Sequence, residues 1–159
     1  MKNKLYRFAL RLLRNVQESE DIVQEVFIRL WARKDNIKEY RSIEAFAMTM
    51  TKNLCLDKLK SKAHSTIQLT IKHEEADEMT PFIEVERNDA YDRVKKLIDQ
   101  LPEQQRMIIH LRDIEGYEYN EIADVMGISE NTIRVNLSRA RKKVRDMMIK
   151  KYNYEFTKN

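Results

Sequence analysis

The chain has 159 residues, 42% of them hydrophobic and 35% charged, with 30 basic side chains against 26 acidic ones and a net charge of +4. That length holds one ordinary domain or two very small ones, and plentiful aliphatic residues among interleaved charges exclude a disordered chain. Two glycines and two prolines are too few for the many turns of a sandwich or a doubly wound sheet, so an all-α fold is expected.

Residues 5–14 read as a first helix, with Leu5, Phe8, Leu12 and Leu13 on its apolar side. Ser19 reads as the N-cap of a second helix, which places Glu20 and Asp21 in the positive first turn. Its apolar stripe is Ile22, Val23, Val26, Phe27, Leu30 and Trp31, of which Ile22, Val26, Leu30 and Trp31 are assigned to the core, tryptophan included, because a tryptophan in such a stripe usually packs. A polar stretch over 32–41 follows. A third helix is expected over 43–62, with Ile43, Phe46, Met50 and Leu54 on its buried side.

Residues 64–90 lose the helical period, carry the run HEEADEMTPF and read as a flexible acidic linker. Helical pattern returns over 90–101. Pro102 suits the first turn of the next helix, through residue 113, and Gly116 marks a turn. The chain therefore reads as two small helical domains, over 1–63 and 91–153, on either side of the linker. Charge follows the same division. Residues 1–63 hold 14 basic against 8 acidic side chains, 64–92 hold 2 against 8, and 129–151 hold 8 against 2. Two basic blocks around an acidic segment suit two sites on one polyanion.

The most specific local signal is YNEIADVMGISENTIRVNLSRARKKVR, over 119–145, which has the layout of a helix-turn-helix. Ile122, Val125 and Met126 form the buried side of its first helix, and Ala123 is small at the expected crossing. Gly127 suits a left-handed C-cap. Ser129 suits an N-cap, with Ile128 and Ile133 at staple positions. Ile133, Leu137, Ala140 and Val144 recur at spacings of four, three and four and make the buried side of the second helix. Its other side carries Asn131, Arg134, Val135, Ser138, Arg139 and Lys142. A helix fits the major groove, where arginine pairs bidentately with guanine, and the later Arg141, Lys143 and Arg145 suit phosphates.

The flanking residues narrow the class. Leu101-Pro102, Arg106, Glu115-Gly116, Tyr119, Glu121-Ile122-Ala123, Gly127, Ser129, Thr132-Ile133-Arg134 and Arg139-Ala140-Arg141 resemble region 4 of the extracytoplasmic-function (ECF) sigma factors of the bacterial sigma-70 family. Glu20-Asp21, Gln24-Glu25, Phe27 and Leu30-Trp31 resemble region 2 of the same family, and Asn53, Asp57 and the basic end of 45–62 resemble its next helix. The order of the two matches and the acidic tether between them also fit.

The resemblance implies a three-to-four-helix region 2-like domain that binds core RNA polymerase and the promoter −10 element, and a region 4-like domain that binds the −35 element. It implies Arg134, Val135, Ser138 and Arg139 as −35 base readers, beside Asn131 and Lys142, with Thr132 and Arg141 on the backbone. Asp21, Gln24, Glu25 and Arg29 would dock on the β′ coiled-coil of the polymerase, and region 4 on the β flap. Tyr40, Arg41, Ser42, Lys52, Asn53 and Lys58 are the candidates for the −10 element, where single-stranded bases need aromatic surface and nearby positive charge. An anti-sigma factor is a further implied partner.

Three departures from the family pattern stand out. Members usually have another helix's worth of residues before LYRFA, so either the start is trimmed or region 2 lacks part of its first helix. Lys52 replaces an arginine. Glu118 takes a slot where serine or threonine commonly caps, and a carboxylate there still suits the helix dipole.

Other signals are weak. Cys55 is alone, which excludes an internal disulfide and fits a reducing compartment. His64, His73 and His110 are scattered without metal-ligand spacing, so no metal or cofactor is expected. No nucleophile–base pair or glycine-rich phosphate loop suggests an enzyme. No apolar run approaches the ~20 residues that span a bilayer, and arginines interrupt the N-terminal segment, so a cytoplasmic protein without direct membrane insertion is expected. The rival readings are a helix-turn-helix repressor or activator, which would dimerise on palindromic duplex without polymerase, and a DNA recombinase, which would need a catalytic N-terminal domain.

Overall fold

The computed structural model describes residues 1–69 and 89–158, and every described element is helical. The chain divides into two compact units, Met1–Ile83 and Glu84–Asn159. The expected acidic linker lies largely outside the described residues.

In the first unit, α1 (Lys2–Leu13) buries Leu5, Phe8, Ala9, Leu12 and Leu13. It ends at Arg14, a non-glycine residue at φ 53°, whose N–H donates to the Leu10 carbonyl at 2.9 Å. The next residue, Asn15, is already the N-cap of α2 (Val16–Ala32): its side chain accepts from the Glu18 N–H at 2.9 Å. The N-cap of α2 thus falls four residues before the expected cap at Ser19, and Glu18, not Glu20 or Asp21, is the acidic residue of its first turn. Ser19 is fully buried, and its hydroxyl donates to the Asn15 carbonyl at 2.6 Å. Asn and Ser cap equally well, so composition could not choose between them. Packing did, because α1 and α2 must turn a corner at Arg14-Asn15 to close on each other.

α2 buries Ile22, Val23, Val26 and Leu30, but Trp31 is 72% exposed, with the Lys34 ammonium 4.7 Å from its ring centroid. The expected core role of Trp31 is therefore wrong. At 3.6 residues per turn Trp31 falls well outside the sector that Ile22, Val26 and Leu30 turn inward. A short 3-10 helix (Lys34–Glu39) leads to α3 (Ile43–Leu69), which runs past the expected end at residue 62. α3 buries Ala45, Ala47, Met48, Met50, Thr51 and Cys55, whereas Ile43, expected inside, is exposed and Phe46 and Leu54 are half-buried. The inward side is built from small and flexible residues, which a search for large aliphatics under-reads. α1, α2 and α3 pack mutually.

The second unit begins with α4 (Asp89–Ile98), followed by α5 (Glu103–Ile109) with Pro102 as its N-cap. α5 continues into a π-helical turn (His110–Ile114), in which the Glu115 N–H donates to the His110 carbonyl at 3.0 Å. His110 and Glu115 are buried together, Nε2 to Oε1 3.4 Å. Gly116, at φ 75°, takes the left-handed turn, and α6 (Tyr119–Met126) and α7 (Glu130–Thr157) complete the unit. α7 packs on α4, α5 and α6.

Phe8 has no exposed surface at the centre of the first unit. Phe8→Ala should cost about 3–5 kcal/mol, read as a lower urea midpoint for that unit.

Candidate nucleic-acid interface

α6 and α7 form the expected helix-turn-helix. Gly127 ends α6 at φ 67°, and its N–H donates to the Ala123 carbonyl at 2.8 Å. The Ser129 hydroxyl then caps α7 by accepting from the Thr132 N–H at 3.2 Å. Glu118 is the N-cap residue of α6, and its own N–H donates to the Glu121 carboxylate at 2.8 Å. Ile122 and Val125 are buried, and Met126 is only half-buried.

Ile133, Leu137, Ala140 and Val144 are all buried, and this seam sets the rotation of α7 about its axis. Asn131, Arg134, Val135, Ser138, Arg139 and Lys142 consequently all point to solvent, and Thr132 is half-buried beside the cap. Arg134 stands with its guanidinium 4.7 Å from the Tyr119 ring centroid and 3.4 Å from Glu130 Oε2. Arg141 is held by Asp113 of the π-turn, Nε to Oδ2 3.0 Å and Nη2 to Oδ1 2.5 Å. That hydrogen bond holds the Arg141 pKa above its ordinary value, against the opposing effect of burial. Tyr119, Arg134, Ser138, Arg141, Lys142 and Arg145 line a shallow basic groove along α7. Asp113, Arg112 and Tyr119 as supports of this surface were missed from sequence; no spacing rule links a π-turn to a helix 28 residues later.

On the first unit, Asp21 and Gln24 are exposed on α2, and Gln17 donates to Asp21 Oδ1 at 3.0 Å. Glu25 and Arg29 form an ion pair with each other at 2.6 Å. Ile28, 63% exposed, and Trp31 continue the row of Asp21 and Gln24 at spacings of three, four and three. An apolar pair thus stands on the outward ridge, where only polar candidates had been assigned.

The −10 candidates separate. The Tyr40 ring stacks on Phe46, centroids 4.0 Å apart and planes at 17°, and the Arg33 guanidinium lies 5.7 Å from the Phe46 centroid. Arg41 is exposed, and the Ser42 hydroxyl accepts from the Ala45 N–H at 3.1 Å as the cap of α3. Asn53 follows Phe46 by two full turns and shares its row. Lys52 is half-buried, which lowers its pKa. Lys58 follows Thr51 by two turns and so lies on the other side of α3, away from the Tyr40–Phe46 stack.

Among the described residues no helix is long and apolar enough to cross a membrane, and no group of His, Cys, Asp or Glu side chains is arranged to hold a metal ion.

A helix-turn-helix with a basic outward side, in one chain with a second compact helical unit, defines a DNA-binding transcription factor of two modules. A family model described as sigma-70 region 2 matches residues 1–65, and one described as sigma-70, region 4 matches residues 91–144. The chain belongs to the ECF sigma factors of the bacterial sigma-70 family.

Relatives include the ECF RNA polymerase sigma factor SigW of Bacillus subtilis, 27% identical over 92% of this chain and 84% of its own length. The ECF RNA polymerase sigma factor SigL of Mycobacterium tuberculosis is 29% identical over 84% of this chain and 76% of its own. A relative named "Probable RNA polymerase sigma factor RfaY" from Xanthomonas campestris is 28% identical over 96% of this chain, which spans only 39% of that protein. Among solved structures, the sigma factor RpoE in complex with the anti-sigma factor NepR from Bartonella quintana superposes with a TM-score of 0.76 at 22% identity, covering 92% of this chain and 91% of that one. CnrH in complex with the cytosolic domain of CnrY gives 0.64 at 21% identity, covering 91% and 80%.

Cys55 is fully buried on α3, and burial pushes its thiol pKa up to about 12, with Lys58 opposing. The thiolate is the reactive form, so iodoacetamide at pH near 8 should label Cys55 only after unfolding, as mass spectrometry of native and urea-treated protein would show. Rapid native labelling would contradict this packing.

Proposed function

We propose that the chain directs core RNA polymerase to promoters that it reads at two separate places, working in the cytoplasm. The observation that carries this reading is the outward side of α7. A caps-and-turn scaffold presents Asn131, Arg134, Val135, Ser138, Arg139 and Lys142 together, with Thr132 and Arg141 at its margins. In this reading Arg134, Val135, Ser138 and Arg139 meet −35 base edges in the major groove, and Thr132 and Arg141 meet the backbone. Asp113 keeps Arg141 turned along the groove edge, which suits a phosphate contact better than a base contact.

The module over residues 1–63 takes the polymerase and the −10 element. The row of Asp21, Gln24, Ile28 and Trp31, flanked by Glu25 and Arg29, is the docking surface for the β′ coiled-coil. An exposed tryptophan beside a carboxylate and an amide has the make-up of an interface anchor. Tyr40 on Phe46, with Arg41 next in the chain and Asn53 two turns along the same row, offers a ring face and positive charge to an unstacked base, whereas Lys52, like Lys58, lies about a third of a turn off that row. Strand opening in this reading draws on binding energy and involves no covalent chemistry by the chain itself. The acidic stretch between the modules, 64–90, is repelled by DNA and keeps the connector off it.

The region 4-like unit, 91–153, would also meet the β flap. An anti-sigma partner is proposed as well. Its support is that RpoE and CnrH, which share this fold, are described in complexes with NepR, an anti-sigma factor, and with CnrY.

Reconstitution with bacterial core polymerase and run-off transcription test the proposal. The chain should confer initiation from discrete start sites on core enzyme and bind duplex poorly without it. Trp31→Ala should weaken core binding by about 2 kcal/mol or more while leaving the helical circular dichroism intact. Arg139→Ala should cost about 1–3 kcal/mol of upstream discrimination without affecting core binding. A chain that never associates with core, or that represses by binding palindromic duplex as a dimer, would overturn it.

A further inference from the structure

Three elements of the second unit meet at one aromatic ring. Tyr119 opens α6, Arg112 comes from the π-turn and Arg134 from the outward side of α7. The Arg112 guanidinium lies 4.6 Å from the Tyr119 ring centroid and that of Arg134 lies 4.7 Å from it. Arg112 is itself anchored, with Nη1 donating to the Tyr117 carbonyl at 2.8 Å and standing 3.4 Å from Glu118 Oε2. The ring is half-buried, whereas the Arg134 side chain keeps 55% of its surface exposed.

The geometry points to Tyr119 as a positioning residue for base recognition: held by Arg112, its ring seats the Arg134 guanidinium in the orientation that reads a guanine. This inference rests on the reading of Arg134 as a −35 base reader. The physical reason is entropic and geometric together. A free arginine has rotamer freedom to lose when it is fixed, and seating it beforehand lowers that cost on binding. A ring beneath Cζ consumes none of the five N–H donors, so the fork that pairs with guanine O6 and N7 stays available. The Glu130 carboxylate alone would seat Arg134 by occupying those donors, at a long 3.4 Å. The π-turn thereby acquires a role: its extra residue brings Arg112 under the ring and Asp113 to Arg141, so two arginines of α7 are oriented from one bulge.

The test uses the full chain bound to bacterial core polymerase and a duplex library randomised over both promoter elements, with bound DNA sequenced. The wild type should enrich guanine at one upstream position, and Arg134→Ala should lose that enrichment. Tyr119→Leu should reduce guanine enrichment at that same position by about 2- to 5-fold, the size of an exposed cation–π contact, and leave the other positions alone. Tyr119→Phe keeps the ring and should behave as wild type, and Tyr119→Leu combined with Arg134→Ala should match Arg134→Ala alone. Full guanine enrichment in Tyr119→Leu, with Arg134→Ala flat, would overturn the inference and leave the −35 reading standing. A uniform loss of binding in both Tyr119→Leu and Tyr119→Phe would overturn it in favour of a hydroxyl contact to phosphate. An unchanged profile in Arg134→Ala would overturn the base-reading role and the inference with it.

Discussion

One buried seam orients the helix that carries the basic surface. Ile133, Leu137, Ala140 and Val144 lock α7 against its neighbours and so decide which way the rest of the helix faces. A basic helix free to roll would present a mixture of its side chains to DNA. Pinned by four inward residues, α7 can present only one set, with Arg134, Ser138 and Arg139 outward together. The caps reinforce this. The Gly127 turn and the Ser129 hydroxyl fix where α7 starts, and the N-terminal turn is the part that enters a groove deepest. In the proposed reading, specific recognition would follow from hydrophobic packing on the far side of the helix, more than from the charge on the near side.

The first unit applies the same logic to a different partner. Burial of Ile22, Val23, Val26 and Leu30 turns α2 so that its opposite side is free, and that side carries two large apolar groups, Ile28 and Trp31. A chain that gains nothing by exposing a tryptophan to water retains one here beside Asp21 and Gln24. Lys34 covers part of its ring, which softens the exposure without hiding the surface. Around the other end, the Tyr40–Phe46 stack gives the loop before α3 a fixed aromatic face.

Much of this was legible in the residues alone. The helix-turn-helix reads directly from Gly127, Ser129 and the four-three-four spacing of the α7 seam, because caps and periodicity are local physics. The order of the two modules and their family follow from motifs that are also local. What failed was non-local. Ser19 and Asn15 are both good caps, and only the corner between α1 and α2 selects Asn15. Trp31 belongs to an apolar stripe by composition, yet lies outside the narrower sector that the neighbouring helices cover. Ile43 and Met126 sit at apolar positions by the same pattern, yet the first is exposed and the second half-buried. The small and flexible side of α3, built on Ala47, Met48, Thr51 and Cys55, gives no strong apolar signal. The contacts of Asp113 with Arg141, and of Tyr119 with Arg112 and Arg134, depend on a π-turn that no sequence pattern announced. The candidate −10 residues were the least well grouped: Tyr40 and Asn53 share a flank with Phe46, while Ser42 caps a helix and Lys58 lies elsewhere.

In the proposed reading the outward side of α7 lies against promoter DNA when the chain is bound to polymerase. A photo-cross-linking amino acid placed at Ser138, at the middle of that side, tests it most directly. In a complex with core polymerase and promoter DNA, irradiation should join position 138 to bases of the upstream element, and the same group at exposed Asp124 of α6 should give far less. Cross-links from position 138 that run only to polymerase, or to no DNA at all, would contradict the account.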